Sequence, residues 1–150
     1  MRGKSRIYKF AEESNMIEGV TGEDKAWEHG DLISELLLTE MRTADVIKFN
    51  IWGKPRIGAG DNVIVGNHVP PPGGQGILYK LDDVVNDVWL GCNEYDTHHK
   101  FELLHPFTDG NGRTGRAMWL WSMCTHRDYD MGNLFLREWY YQSLRRGRAL

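Results

Sequence analysis

A mainly α-helical bundle carrying one short β-hairpin flap is the fold class this sequence predicts, and three observations predict it. Apolar residues recur at helical spacing, most clearly at Leu81, Val84, Val85, Val88 and Trp89, which follow i, i+3, i+4, i+7, i+8. Glycines such as Gly19 and Gly53 stand where the periodic stretches stop. Residues 55–76 are so dense in glycine and proline that no helix can form there.

In chain order, residues 7–17 predict a short helix closed by Glu18-Gly19. Residues 23–38 predict a second, with Leu32, Leu36 and Ile33, Leu37 as its apolar stripe. A third covers 43–52 and ends at Gly53, before Pro55. Within 55–76 the run Asn62-Val63-Ile64-Val65 suggests a hairpin or extended flap. Helical spacing then resumes through Trp89. A helix over 95–104 delivers His105 at its C-terminal end, where Pro106 breaks it. The next opens near Gly112 and passes Ala117, Leu120 and Trp121 to Thr125, and a last one spans 133–144. No repeat or linker divides the chain, so residues 1–150 are read as one domain.

The composition is that of a folded protein, with 41% hydrophobic and 26% charged residues among 150. A net charge of −3 supplies no field that would draw the whole chain to nucleic acid or anionic lipid. The basic stretch from Arg137 to Arg148 reads as a solvated helix end rather than a nucleic-acid patch. Cys92 and Cys124 sit among apolar neighbours and read as buried free thiols. The first residues are basic with no apolar run behind them, and no stretch is long enough for a membrane span. A cytoplasmic location is the expectation, without a membrane or nucleic-acid partner; delivery into another cell would leave no trace in these residues. A homo-oligomer is compatible with them.

The run His105-Pro106-Phe107-Thr108-Asp109-Gly110-Asn111-Gly112-Arg113-Thr114-Gly115-Arg116 concentrates chemistry in twelve residues. Gly110 and Gly112 let the backbone turn sharply and turn its N–H groups outward at a helix start, an anion site. Arg113 and Arg116, one turn apart, can both reach a polyphosphate. Asp109 offers a hard oxygen for Mg²⁺, and Asn111 can donate to an α-phosphate oxygen. Phe107 reads as an apolar peg, and His105 as a general base, since imidazole accepts a proton near neutrality. Taken singly, His105 could cap a helix end and the arginines could be surface charge. Helix stability alone requires neither this loop nor both arginines. His98, His99 and His105 lack the HExxH or paired-cysteine spacing of a zinc site.

The run resembles the Fic family signature, HPFx[D/E]GNGRxxR, at every specified position, and the resemblance extends back over Phe101-Glu102-Leu103-Leu104. It reaches the flap less specifically, through Val69-Pro70-Pro71-Pro72. The resemblance implies a Fic-type bundle and a protein adenylyltransferase. The matching histidine, His105, would deprotonate a Ser, Thr or Tyr hydroxyl of a target protein, or of the chain itself. That hydroxyl would attack the α-phosphorus of ATP. Asp109 would hold Mg²⁺ between α- and β-phosphates, Arg116 would contact the γ-phosphate, and Asn111 and Arg113 would bind the other phosphates. The related Doc branch carries an NANKR-like loop and phosphorylates; Gly110-Asn111-Gly112-Arg113 favours AMP transfer.

Ser14-Asn15-Met16-Ile17-Glu18-Gly19 resembles the family's inhibitory pattern [S/T]xxxE[G/N], in the class whose inhibitory helix precedes the core. By that resemblance, Ser14, Glu18 and Gly19 would restrain the enzyme by pairing the Glu18 carboxylate with Arg116. The edge at Asn62, Val63, Ile64 and Val65 would pair with a target segment by strand addition. Two alternatives stand beside AMP transfer: removal of AMP with Glu18 positioning a water, and a non-catalytic nucleotide-binding or toxin–antitoxin module. A binding role needs no base, so His105 speaks against the latter.

Overall fold

The computed structural model describes residues 6–127. Among them the chain forms six helices: α1 (Arg6–Ile17), α2 (Glu23–Leu37), α3 (Thr43–Phe49), α4 (Gly76–Trp89), α5 (Glu94–Leu104) and α6 (Asn111–His126). The helix expected over 133–144 and the basic stretch after Arg137 lie outside the described residues.

Helix α6 is the axis of the bundle. Every residue from Arg113 to Ser122 is buried, and all five other helices pack on it. A helix surrounded on all sides cannot show one apolar stripe, and α6 indeed mixes Trp119, Leu120 and Trp121 with Arg113, Thr114 and Arg116. Gly115 lets α5 approach closely: a Cβ there would stand 2.9 Å from the Phe101 ring and 2.5 Å from the Glu102 carboxylate. The other helices are ordinary amphipathic elements. In α4, Ile77, Leu81, Val84, Val85 and Val88 face the core. Phe10 of α1, Ile33 of α2, Val46 of α3 and Phe101 of α5 meet them and α6 in one cluster. Fully burying one such side chain contributes about 1.5–3 kcal/mol, so this shared core outweighs any single polar contact in fixing the helices.

Four expectations need correction. Helix α3 stops at Phe49 rather than Trp52, because the Asn50 side chain accepts from Trp52 N–H (3.2 Å) and turns the chain out of the helix. Trp89 is 53% exposed, and Ile77 takes part in the apolar row instead. Cys92 is exposed and Cys124 only half-buried. The flap is not a β-hairpin: Asn62, Val63, Ile64 and Val65 form no strand, and only one bridge, Val65 with His68, closes a turn around Gly66 and Asn67. A returning strand would need N–H donors, and Pro70, Pro71 and Pro72 have none. The segment is held by side chains instead, with Asn62 Oδ1 accepting from Gly73 N–H (2.9 Å) and Asp61 Oδ2 from Gly58 N–H (3.0 Å).

Candidate active site

Two helix ends meet at the site. Helix α1 closes with a Schellman pattern: Val20 N–H donates to Asn15 O (3.0 Å) and Gly19 N–H to Met16 O (3.0 Å). The motif requires a left-handed residue after the cap, and Gly19 adopts φ 72°. Glu18 is therefore the capping residue, its carboxylate at the electronegative end of α1, where an anion is disfavoured. It finds its partner at the opposite kind of terminus. Glu18 Oε1 accepts from Arg116 Nη2 (2.9 Å), and it lies so close to Gly112 that any Cβ there would strike it. Gly112 is the second residue of α6, so the carboxylate lies at the electropositive helix start. Ser14 completes the clamp, its Oγ accepting from Arg116 Nε (2.8 Å) and its carbonyl from Nη2 (2.9 Å).

The signature loop is braced from outside itself. Phe107 is fully buried against Phe101, as a peg should be. Asn111 Nδ2 donates to Phe107 O and its Oδ1 accepts from Phe107 N–H, both 2.9 Å. Both ends of that amide are thus engaged in shaping the loop, and the second N–H of Nδ2 is the donor left for a phosphate oxygen. Asn50 Nδ2 donates to Asp109 O (2.9 Å), and Thr108 N–H to Lys54 O (2.9 Å). Gly53 makes this approach possible, since a Cβ there would stand 2.5 Å from the Asp109 backbone. Gly110 caps α6 at φ 77°, beside Asn50 and Trp52.

Asp109 is exposed, and its Oδ1 accepts from Gly110 N–H (2.7 Å). A single exposed carboxylate at an anion-receiving helix start suits Mg²⁺, which takes one or two protein oxygens and completes its shell with phosphate and water. The described residues contain no group of three His, Cys, Asp or Glu side chains able to hold a metal by themselves. Arg113 is held differently from Arg116. Its guanidinium lies over the Trp52 ring, 3.9 Å from the centroid, while its Nε is buried without a hydrogen-bond partner among the described residues.

His105 ends α5 in the left-handed conformation, φ 48° and ψ 60°. Its imidazole is half-buried, and burial lowers its proton affinity below that of ordinary histidine. The positive charge of Arg56 acts in the same direction, opposed by Glu18 and Asp109. A neutral, proton-accepting ring at neutral pH is the result.

Sequence reasoning brought together His105, Asp109, Gly110, Asn111, Gly112, Arg113, Arg116, Ser14, Glu18 and Gly19, and they lie around the start of α6. The contacts of Asn62 and Val65 are local ones, with Gly60, Gly73 and His68. The structure also adds residues that no spacing pointed to. Asn50 and Trp52 brace the loop and Arg113. Fully buried His29 bonds Asn15 through Nδ1 (2.8 Å) and packs edge-on to Trp52, joining α1 to this brace. Arg56, also fully buried, caps the end of α5. The only local hint was an arginine directly after Pro55 in a glycine-rich stretch.

An open helix start, two arginines one turn apart and a histidine of lowered proton affinity stand together on a mainly helical fold. Residues 93–123 match the family model described as Fic/DOC family. The chain is similar to "Protein adenylyltransferase Fic" of Drosophila willistoni, 41% identical over 69 residues. That alignment covers 39% of this chain and 13% of the fly protein, so the chain spans only a small part of its relative.

Proposed function

We propose that this chain is a protein adenylyltransferase that moves AMP from ATP to a hydroxyl of a target protein and is restrained by its own Glu18. One observation carries the reading: the Glu18 carboxylate is bonded to Arg116 and packed on Gly112, at the start of α6. A carboxylate there occupies the charge and space that a terminal phosphate would use.

In the forward reaction the neutral His105 takes the proton from the target hydroxyl. The freed oxygen bonds to the α-phosphorus of ATP, the bond to the β-phosphate oxygen breaks, and pyrophosphate leaves. Arg113, poised on Trp52, and the backbone at Gly110 and Gly112 receive the phosphates. Arg116 takes the γ-phosphate once Glu18 withdraws. Asp109 would hold Mg²⁺, which supplies charge neutralisation on the phosphates. A target segment would run along 62–65, where Ile64 is exposed. Removal of AMP is a second reading, in which Glu18, whose charge acts on the His105 ring, would position a water.

Incubation with α-labelled ATP and Mg²⁺ tests the proposal. Label should pass to protein, and His105→Ala should reduce transfer by about 10²–10⁴-fold while ATP binding persists. Asp109→Ala should remove the Mg²⁺ dependence together with the activity. Full transfer by either variant would overturn the assignment of that residue.

A further inference from the structure

We infer that Arg56 is a positioning residue for His105, in the reaction proposed above and resting on that reading. Arg56 has no solvent exposure, yet no carboxylate bonds to it among the described residues. Its donors go to main-chain carbonyls: Nε to His105 O (2.6 Å), Nη2 to Leu104 O (3.0 Å) and Nη1 to Asp61 O (2.9 Å). The carbonyls of residues 104 and 105 belong to the end of α5, where unpaired oxygens gather partial negative charge. A guanidinium is the one side chain with a rigid fork for both.

The geometry gives this cap a particular consequence. The Leu104 carbonyl lies in the peptide plane before the His105 Cα, and the His105 carbonyl in the plane after it. Fixing both planes fixes φ and ψ of His105, hence the direction of its Cα–Cβ bond. The conformation so held is left-handed, φ 48° and ψ 60°, which a residue with a Cβ adopts only when its surroundings impose it. Arg56 N–H adds a bond to Pro106 O (2.9 Å), holding the next plane as well. Through Asp61 O the same fork ties the base to the segment that leads into the flap. Arg56 touches no expected substrate atom; it acts through His105.

The charged and titratable groups acting on the His105 ring are Arg56 and His68 from residues 55–68, Glu18 from the end of α1 and Asp109 from the signature loop. Arg56 lowers its proton affinity and Glu18 raises it, so variants are compared in a Glu18→Gly background.

Two variants separate the functions of Arg56. Arg56→Lys keeps the charge and loses the fork; Arg56→Gln keeps two N–H donors and loses the charge. Both should lower kcat about 100-fold, the scale of a displaced catalytic group, with KM for ATP within about twofold. In Arg56→Gln the acid limb of the pH–rate profile should also move to higher pH, and in Arg56→Lys it should stay. A KM that rises in step with the loss of kcat, or a kcat unchanged in both variants, would overturn the inference and leave Arg56 a purely structural cap. Absence of AMP transfer by the Glu18→Gly parent would instead overturn the proposed function, a result distinct from either.

Discussion

Glu18 Oε1 and Arg116 Nη2 stand 2.9 Å apart although 98 residues separate them in sequence. Arg116 is almost fully buried, whereas the Glu18 side chain is 36% exposed. The arginine is thus the fixed half of the pair and the glutamate the half that can withdraw into water. The Schellman turn keeps Glu18 aimed at α6 as long as α1 is docked.

Removing the carboxylate should therefore release the site. A charge-assisted bond contributes about 1.5–3 kcal/mol, equivalent to a roughly 10- to 100-fold change in nucleotide affinity. Glu18→Gly should raise self-modification from labelled ATP by that order, and Arg116→Ala on top should cancel the gain. Equal labelling with and without Glu18 would reduce the contact to a helix-end ion pair. Loss of an AMP-removing activity in the glycine variant would favour the reverse reaction.

The second arginine depends on an aromatic face instead of a carboxylate. Trp52 is itself wedged by the edges of His29 (5.1 Å between centroids) and Phe49 (5.9 Å). Stacking on a partly desolvated indole is worth about 1–2 kcal/mol, so Trp52→Leu should weaken ATP binding by about tenfold. Trp52→Phe should restore most of it. Calorimetric titration of ATP into the Glu18→Gly protein measures both. Additivity of Trp52→Leu with Arg113→Ala would show that the ring does not act through that guanidinium.

Acid should destabilise the fold before it protonates the interior. Burial holds His29 at a pKa of about 3, with Arg116 and Arg113 adding to the effect, and holds His98 at about 4. Both lie below the ordinary value of 6.5, so the unfolded chain binds protons that the folded chain refuses. Their stabilising contribution is complete above about pH 6.5, falls as pH drops, and is lost on passing the folded values. Each site gives a slope of about 1.4 kcal/mol per pH unit in that window. Urea unfolding between pH 7 and 5 should show the decline, and His29→Gln should flatten it by about one proton. An unchanged slope would mean that His29 is protonated in the folded state.

Periodicity and punctuation made most of the helices legible. The apolar rows of α2 and α4 and the glycine after α1 are local features, governed by 3.6-residue spacing and backbone sterics. The errors have local causes that compete with periodicity. Asn50 hydrogen-bonds its own backbone and ends α3 early. Three prolines remove the donors that a flap strand would need.

The sequence by itself determined which groups share one short run of chain: His105, Asp109, the two glycines of the loop and the two arginines that follow. Only the tertiary structure decided which arginine meets Glu18 and which meets Trp52, that the Asn111 amide is locked onto Phe107, and that buried Arg56 caps the turn at His105. The physical reason is range. Spacing encodes which side chains share a helix face, but a hydrogen bond needs its partner within about 3 Å. Residues as far apart as 14 and 116, or 56 and 105, reach that distance only when the shared core has packed the helices together.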